Sequence, residues 1–232
     1  IVLQEEKKYL LEVRLFPFFE QHNIQSPLRF MKDLTMSHAL AQDVISLFTT
    51  NETFFFRDAY VFEELVDLII PEIISKKEDK SLRILSAACS SGQEAYTIAM
   101  QIDQKMPQLK DWNVEILGID IDHEIVQKAQ KGWYTQFEVN RGIPMRYLFR
   151  CFQRSGRGYQ IKDSIASLVR FEQRNLMEEQ QFSNPFDIVL LRNVLIYFST
   201  EEQNKQVENM IELLSPEGVF IIGSTEIIPP NP

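Results

Sequence analysis

The chain has 232 residues, 24 Lys and Arg against 33 Asp and Glu, and a formal charge of −9. That length holds one sizeable α/β domain with a small appendage, and the acidic balance argues against broad attraction to phosphate backbones, which depends on Lys and Arg. Two cysteines, Cys89 and Cys151, without zinc-like spacing, read as reduced core residues rather than a disulfide framework, and three scattered histidines, His22, His38 and His123, predict no metal site. The start from Ile1 to Lys8 has no basic leader ahead of an apolar run, and the longest apolar stretches fall far short of the ~20 residues of a membrane helix, so the expected setting is cytoplasmic.

Residues 1–50 read as a helical lead-in. Leu10, Leu11, Val13 and Leu15, then Leu28, Phe30, Met31 and Leu34, then Leu40, Val44, Leu47 and Phe48 show no strand-like alternation. In Thr49 to Asp58, polar groups stand directly against Phe54, Phe55 and Phe56. The residues by themselves favour a helix capped by Thr50 or Asn51 with its Phe side chains in the core, while a pocket lining is the alternative.

From Leu82 the pattern becomes short apolar runs separated by amphipathic stretches, the signature of a parallel sheet with crossover helices. Leu82–Ala88 is the first expected strand, followed by a helix whose Ala95, Ile98, Ala99 and Ile102 share one face until Pro107 stops it. Val114–Asp120 is the second, followed by a helix opening at Asp122, burying Ile125, Val126 and Ala129, and closing at Gly132. Between Arg150 and Phe171 the short pieces Cys151-Phe152, Tyr159–Ile161 and Leu168–Phe171 predict a small antiparallel insertion around a Ser155–Gly158 turn. Phe186–Leu191 is the third strand. Ser199 and Glu202 then form a capping box for a helix burying Val207, Met210, Ile211 and Leu214, and a turn at Pro216–Gly218 leads to the strand Val219–Gly223. The Pro-rich end after Ile228 cannot continue a central strand. The predicted class is a doubly wound, Rossmann-like α/β sheet with ligands at the carboxyl ends of its strands.

Three strand ends carry candidate chemistry. Ala87–Glu94 is a loop of small residues that lets backbone approach a ligand, but it lacks G-x-G-x-x-G spacing and is weak evidence alone. Asp120 ends the second strand, where a carboxylate can accept both hydroxyls of a ribose; Asp122 is better placed to cap the helix, which leaves Asp120 free for a ligand. Arg192 and Asn193 interrupt the third strand and need polar partners, either from a ligand crevice or from a surface carboxylate.

Four segments in order resemble the chemotaxis-receptor glutamate methyltransferases (CheR-type): Thr50-Asn51-Glu52-Thr53-x-Phe55-Phe56-Arg57; Ala88 to Tyr96; Gly118–Asp122 with Ala129 and Gly132-x-Tyr134; and Arg192–Phe198. The first and last are specific to that family, and the middle two fit many methyltransferases. The resemblance implies S-adenosylmethionine as cofactor, S-adenosylhomocysteine as product, and a methyl-accepting chemotaxis receptor as partner, with no nucleic acid and no membrane insertion. It also implies a methyltransferase domain over 51–232 with its β insertion at 150–171, behind a helical region over 1–50 shorter than the family's. By resemblance, Asn51, Thr53 and Arg57 contact the cofactor, Glu94 takes its methionine end and Asp120 its ribose. Asn175 and Leu176 border the adenine, Arg192 and Asn193 complete the pocket, and Tyr197 lies with Arg57 near the transferred methyl group.

There are departures from the family pattern. Gln93 and Ala95 stand for Glu and Pro, Cys151 stands where the family has Tyr, and the basic docking helix is thinned to Lys7, Lys8 and Arg14. Members that grip a tethering peptide carry a longer loop between the first insertion strands than Gln153–Gly158 here, which implies a tether-independent enzyme. A methyltransferase of a small molecule or RNA, and a regulatory module that binds the cofactor without turnover, remain the alternatives.

Overall fold

A computed structural model describes residues 9–228. Lys7, Lys8 and the Pro-rich end lie outside these residues. Three helices come first: α1 (Tyr9–Gln21), α2 (Pro27–Met36) and α3 (His38–Phe48). Ser26 and Ser37 cap the last two by accepting the Arg29 and Leu40 N–H groups. Residues 51–58 are irregular, and a broken helix follows: α4 (Ala59–Glu64), a π-helical turn (Leu65–Ile69) and α5 (Ile70–Ser75). Pro71, lacking an N–H, stands just after the π turn.

The central unit runs β1 (Ser81–Ala87), α6 (Gln93–Lys105), β2 (Asn113–Asp120) and α7 (His123–Lys131). Next come β3 (Trp133–Thr135), α8 (Gln136–Asn140), α9 (Met145–Cys151), β4 (Phe152–Ser155), β5 (Gly158–Ile161) and α10 (Asp163–Ala166). It closes with β6 (Val169–Gln173), β7 (Phe186–Leu191), α11 (Thr200–Glu212) and β8 (Leu214–Ile222). Five strands form an all-parallel sheet in the order β6-β2-β1-β7-β8. The chain moves outward from β1 to β2 on one side and from β7 to β8 on the other. The crevice between the β1 and β7 ends is therefore the topological switch point, where open α/β sheets bind ligands.

Alternation along the strands divides the core. Ile84, Ile116, Ile188 and Leu190 face the cluster containing Ile98 and Met100 of α6 and Val126 and Ala129 of α7. Leu85, Leu117, Val189 and Leu191 face Val207 and Met210 of α11. All six residues of β7 are buried, as expected for a strand covered on both faces.

Three expectations are corrected. The insertion was expected to contain Leu168–Phe171, but β6 pairs in parallel with β2, and the antiparallel sheet is β3-β5-β4, drawing on Trp133–Thr135 from outside 150–171. Phe171 belongs in the main sheet because its ring covers Gly118 and packs on Tyr96 at 5.2 Å. The turn at Pro216–Gly218 lies within β8 as an irregularity, the pairing jumping from Phe186–Leu214 to Ile188–Val219. Ile211 is exposed rather than facing inward, and Leu214 begins the strand.

Gly118 is where the sheet admits no side chain, since an added Cβ would stand 2.5 Å from a Phe171 ring carbon and 3.0 Å from the Cys89 sulfur. Gly118→Ala is expected to cost about 1–3 kcal/mol by overpacking. Urea denaturation should show that loss, with part of it recovered when Phe171→Leu is added.

Candidate functional site

Among the described residues, five of the seven non-glycine residues with positive φ, Phe56, Asp58, Ala88, Ser90 and Asn193, lie in the loops around the carboxyl ends of β1 and β7. Such backbone is costly for residues with a Cβ, and its concentration here marks the segment where structure gives way to function. These loops enclose a cavity of about 270 Å³. Every residue predicted for the site lines it: Asn51, Thr53, Arg57, Glu94, Asp120, Asn175, Leu176, Arg192, Asn193 and Tyr197.

The floor is built on Arg192, whose side chain is 2% exposed. One guanidinium nitrogen donates to Glu94 at 2.7 Å and another to Asp58 at 2.6 Å, while its Nε has no partner among the described residues. The second carboxylate oxygen of Glu94 accepts the Ser86 hydroxyl, so both its oxygens are fixed in place. Arg192 thus pairs with two partly buried acids at the crevice rather than with a fully exposed surface carboxylate. Asp58 occupies the N-cap position of α4 in left-handed conformation but makes no side-chain cap; its carboxylate goes to Arg192 instead.

Asp120 and Asp122 divide as expected. Asp122 caps α7 by accepting the Glu124 and Ile125 N–H groups, and also accepts the Ser46 and Thr49 hydroxyls and the Asn51 amide. Burial works to raise its pKa, but these donors together outweigh burial and hold it below the usual carboxylate value. Asp120 is 7% exposed and accepts the N–H groups of Ser90 and Asp122, with no cation paired to it among the described residues. Burial raises its pKa, the two N–H groups opposing. A buried carboxylate with spare lone pairs facing a cavity suits a ligand bringing paired hydroxyl donors, as a ribose does.

The rim differs in charge. Arg57 donates to the Glu52 carbonyl, and its guanidinium touches no carboxylate among the described residues. Phe54 lies beneath both Arg57 and Arg141, 5.8 and 4.6 Å from its ring centre, and Arg141 also pairs with Glu52. Tyr197, on the short 3-10 turn Leu195–Tyr197, is 44% exposed at the opposite lip. Glu94 and Asp120 against Arg192 leave the cavity floor negative, whereas Arg57 gives the rim a cation with no carboxylate partner among the described residues.

The segment 51–58 is not a helix capped by Thr50 or Asn51. It is an irregular turn with Phe55 and Phe56 in the core and Phe54 on the cavity. The Asn51 amide nitrogen is engaged by Thr49 and Asp122, and its carbonyl by Ser90. Sequence reasoning missed Ser86, Asp58 and Glu226. Glu226 accepts the N–H groups of Asn193, Leu195 and Gly223 and so fixes the loop after β7. A Glu near the chain end carries no local signal of that role. The S-x-x-E box at Ser199 and Glu202 was visible and forms as expected.

Residues 51–232 match the family described as "CheR methyltransferase, SAM binding domain". The chain belongs to this family. It is 37% identical to chemotaxis protein methyltransferase 1 of Pseudomonas aeruginosa over 98% of this chain and 85% of that protein. It is 35% identical to the chemotaxis protein methyltransferase of Vibrio parahaemolyticus over 97% and 83%, and 32% identical to that of Borreliella burgdorferi over 100% and 84%. Family membership makes the cavity the expected place for S-adenosylmethionine, and the Asp120 carboxylate and the acidic floor fit a ribose and a cationic sulfonium.

Asp122→Ala removes a helix cap and the shared acceptor of Ser46, Thr49 and Asn51, and should cost about 2–4 kcal/mol in urea denaturation. Because the folded pKa of Asp122 lies below its unfolded value, its stabilisation is complete above the usual carboxylate pKa and is lost as pH falls through the depressed value. The wild type should therefore lose stability over that acid range, and the Asp122→Ala variant should lose less.

Proposed function

We propose that this chain transfers a methyl group from S-adenosylmethionine to glutamate side chains of a methyl-accepting chemoreceptor. What carries the reading is that four motifs far apart in sequence, at 50–57, 88–94, 120 and 192–198, line one cavity whose floor is acidic and whose rim is basic. The related proteins are named chemotaxis protein methyltransferases, which supports a chemoreceptor as partner, and the acidic balance of the chain disfavours RNA.

Bound there, S-adenosylmethionine supplies a methyl group on a sulfonium, open to in-line attack. Asp120 would hold the ribose hydroxyls and Glu94, steadied by Ser86 and Arg192, the ammonium of the methionine end. Asn175 and Leu176 would flank the adenine; Leu176 is buried, and Asn175 fixes its own turn by accepting the Met177 N–H. Thr53 and Asn193 would close the walls, with Asn51 acting through Asp122 and Ser90. The attacking glutamate, with a pKa near ~4.3, is ionised at neutral pH, so no general base is needed. Arg57, which touches no carboxylate among the described residues, is available to meet that carboxylate, whereas Arg192 already holds two acids. Tyr197 borders the same opening and can orient the carboxylate by its hydroxyl. The task of the site is to desolvate and align the nucleophile.

Asp120→Ala should weaken S-adenosylhomocysteine binding by about 1–3 kcal/mol in calorimetry, from lost charge-assisted hydrogen bonds. No binding by the wild type would sink the reading. Arg57→Ala should lower base-labile methyl incorporation into receptor-bearing membranes, read as methanol released by alkali, far more than it lowers Tm. Equal losses of activity and Tm would make Arg57 structural. Only Gly156 and Arg157 join β4 to β5, in keeping with tether independence. Trimming the receptor's carboxyl end should leave methylation unchanged, and a large loss would overturn that part.

A further inference from the structure

From Lys131 to Lys162 the chain carries seven Lys and Arg and one acid, Glu138, a local +6 within a chain of −9. The same stretch exposes large apolar side chains. Phe137 on α8 is 76% exposed, and Met145 and Phe149, one helical turn apart on α9, are 62% and 73% exposed. Arg146 and Arg150 form the adjoining stripe of α9, while Tyr147 and Cys151 on its inner face are buried. Arg150 is tied to Asp103, but Arg146 touches no carboxylate among the described residues and lies over Tyr147. Exposed Phe, Met and Arg dominate this face, and the acids at it are few, Glu138 within the stretch and Asp103 and Glu52 packed against it, which is the composition of a protein interface rather than of an ordinary solvated face.

This surface runs into the pocket mouth. Arg141, between α8 and α9, shares the Phe54 ring with Arg57 and pairs with Glu52, both Phe54 and Glu52 being cavity-lining residues. Gly142 presses on the same rim, an added Cβ there meeting the Phe55 carbonyl at 2.1 Å. A macromolecule that delivers a glutamate to Arg57 therefore passes directly beside α9.

We infer that the α8–α9 face, with Phe137, Met145, Arg146 and Phe149 at its centre, is the docking surface for the acidic, glutamate-bearing segment of the protein substrate. This rests on the proposed function: a substrate modified at glutamates presents carboxylates around the one being methylated, and the exposed guanidiniums complement them while the apolar side chains give the contact its desolvated centre. Docking here places the partner against Arg57 without using the cavity itself, so cofactor binding and partner binding are separable.

The test is the exposed double substitution Arg146→Glu with Phe149→Glu, measured with the soluble cytoplasmic fragment of a methyl-accepting receptor from the source cell and, in parallel, with phosphatidylglycerol vesicles. The variant is expected to keep its Tm and its calorimetric affinity for S-adenosylhomocysteine. Its KM for the fragment should rise about tenfold or more with kcat little changed, and the salt dependence of KM should flatten. Fluorescence anisotropy should show the same loss of fragment binding. An unchanged KM and anisotropy overturns the inference, as does a variant that loses vesicle binding while its fragment binding is intact, which would assign the face to lipid. A wild type that binds the fragment through this face but does not methylate it would sink the glutamate reading and leave the docking surface standing. A wild type that neither binds nor methylates it would remove both.

Discussion

The site is organised around one buried cation. Moving a guanidinium out of water costs several kcal/mol, and the protein tolerates Arg192 at the end of β7 only because Glu94 and Asp58 are held within 2.7 Å of it. That requirement ties together three segments: the first turn of α6, the left-handed corner before α4 and the end of β7. Removing either acid would leave the guanidinium under-compensated, and removing Arg192 would leave two acids facing each other. The walls of the cavity are thereby fixed before any ligand enters, which is what preorganisation demands of a site that must align two reactants.

A second polar junction works at longer range. Asp122 gathers Ser46, Thr49 and Asn51, so the end of α3 and the start of the pocket rim are fastened to the N-terminus of α7. The helical lead-in is therefore continuous with the site, and Arg14 of α1, donating to the Leu47 carbonyl, lines the cavity as well. Asp120, two residues earlier, accepts only backbone N–H groups, those of Ser90 and Asp122, and carries the opposite pKa perturbation. Two carboxylates two residues apart thus carry opposite perturbations by virtue of how many donors surround each.

Charge is layered across the same region. An acidic floor suits a cationic sulfonium, an unpaired Arg57 at the rim suits an incoming carboxylate, and beyond the rim the α8–α9 face is basic although the whole chain is acidic. Net charge alone argues against broad attraction to phosphate backbones, but only its distribution over the surface points toward an acidic partner.

The amino-acid sequence by itself determined the βα units, because each alternates an apolar run with a 3.6-residue period and is punctuated by local signals: Asp122 and Gly132 around α7, Ser199 and Glu202 at the start of α11. It also determined which strand ends carry Ala88, Asp120 and Arg192, since strand carboxyl ends are read directly from where the apolar runs stop. Only the tertiary structure decided the rest. Val169–Gln173 joined the central sheet because the Phe171 ring fills the space left open by Gly118, a contact 53 residues apart in sequence that leaves no periodic trace. The partners of Arg192, the turn that places Phe54 on the cavity and Phe55 in the core, and the role of Glu226 were likewise settled by packing. A side chain's polar partners are chosen by the geometry of the folded loops, and local sequence encodes the need for a partner but not its identity.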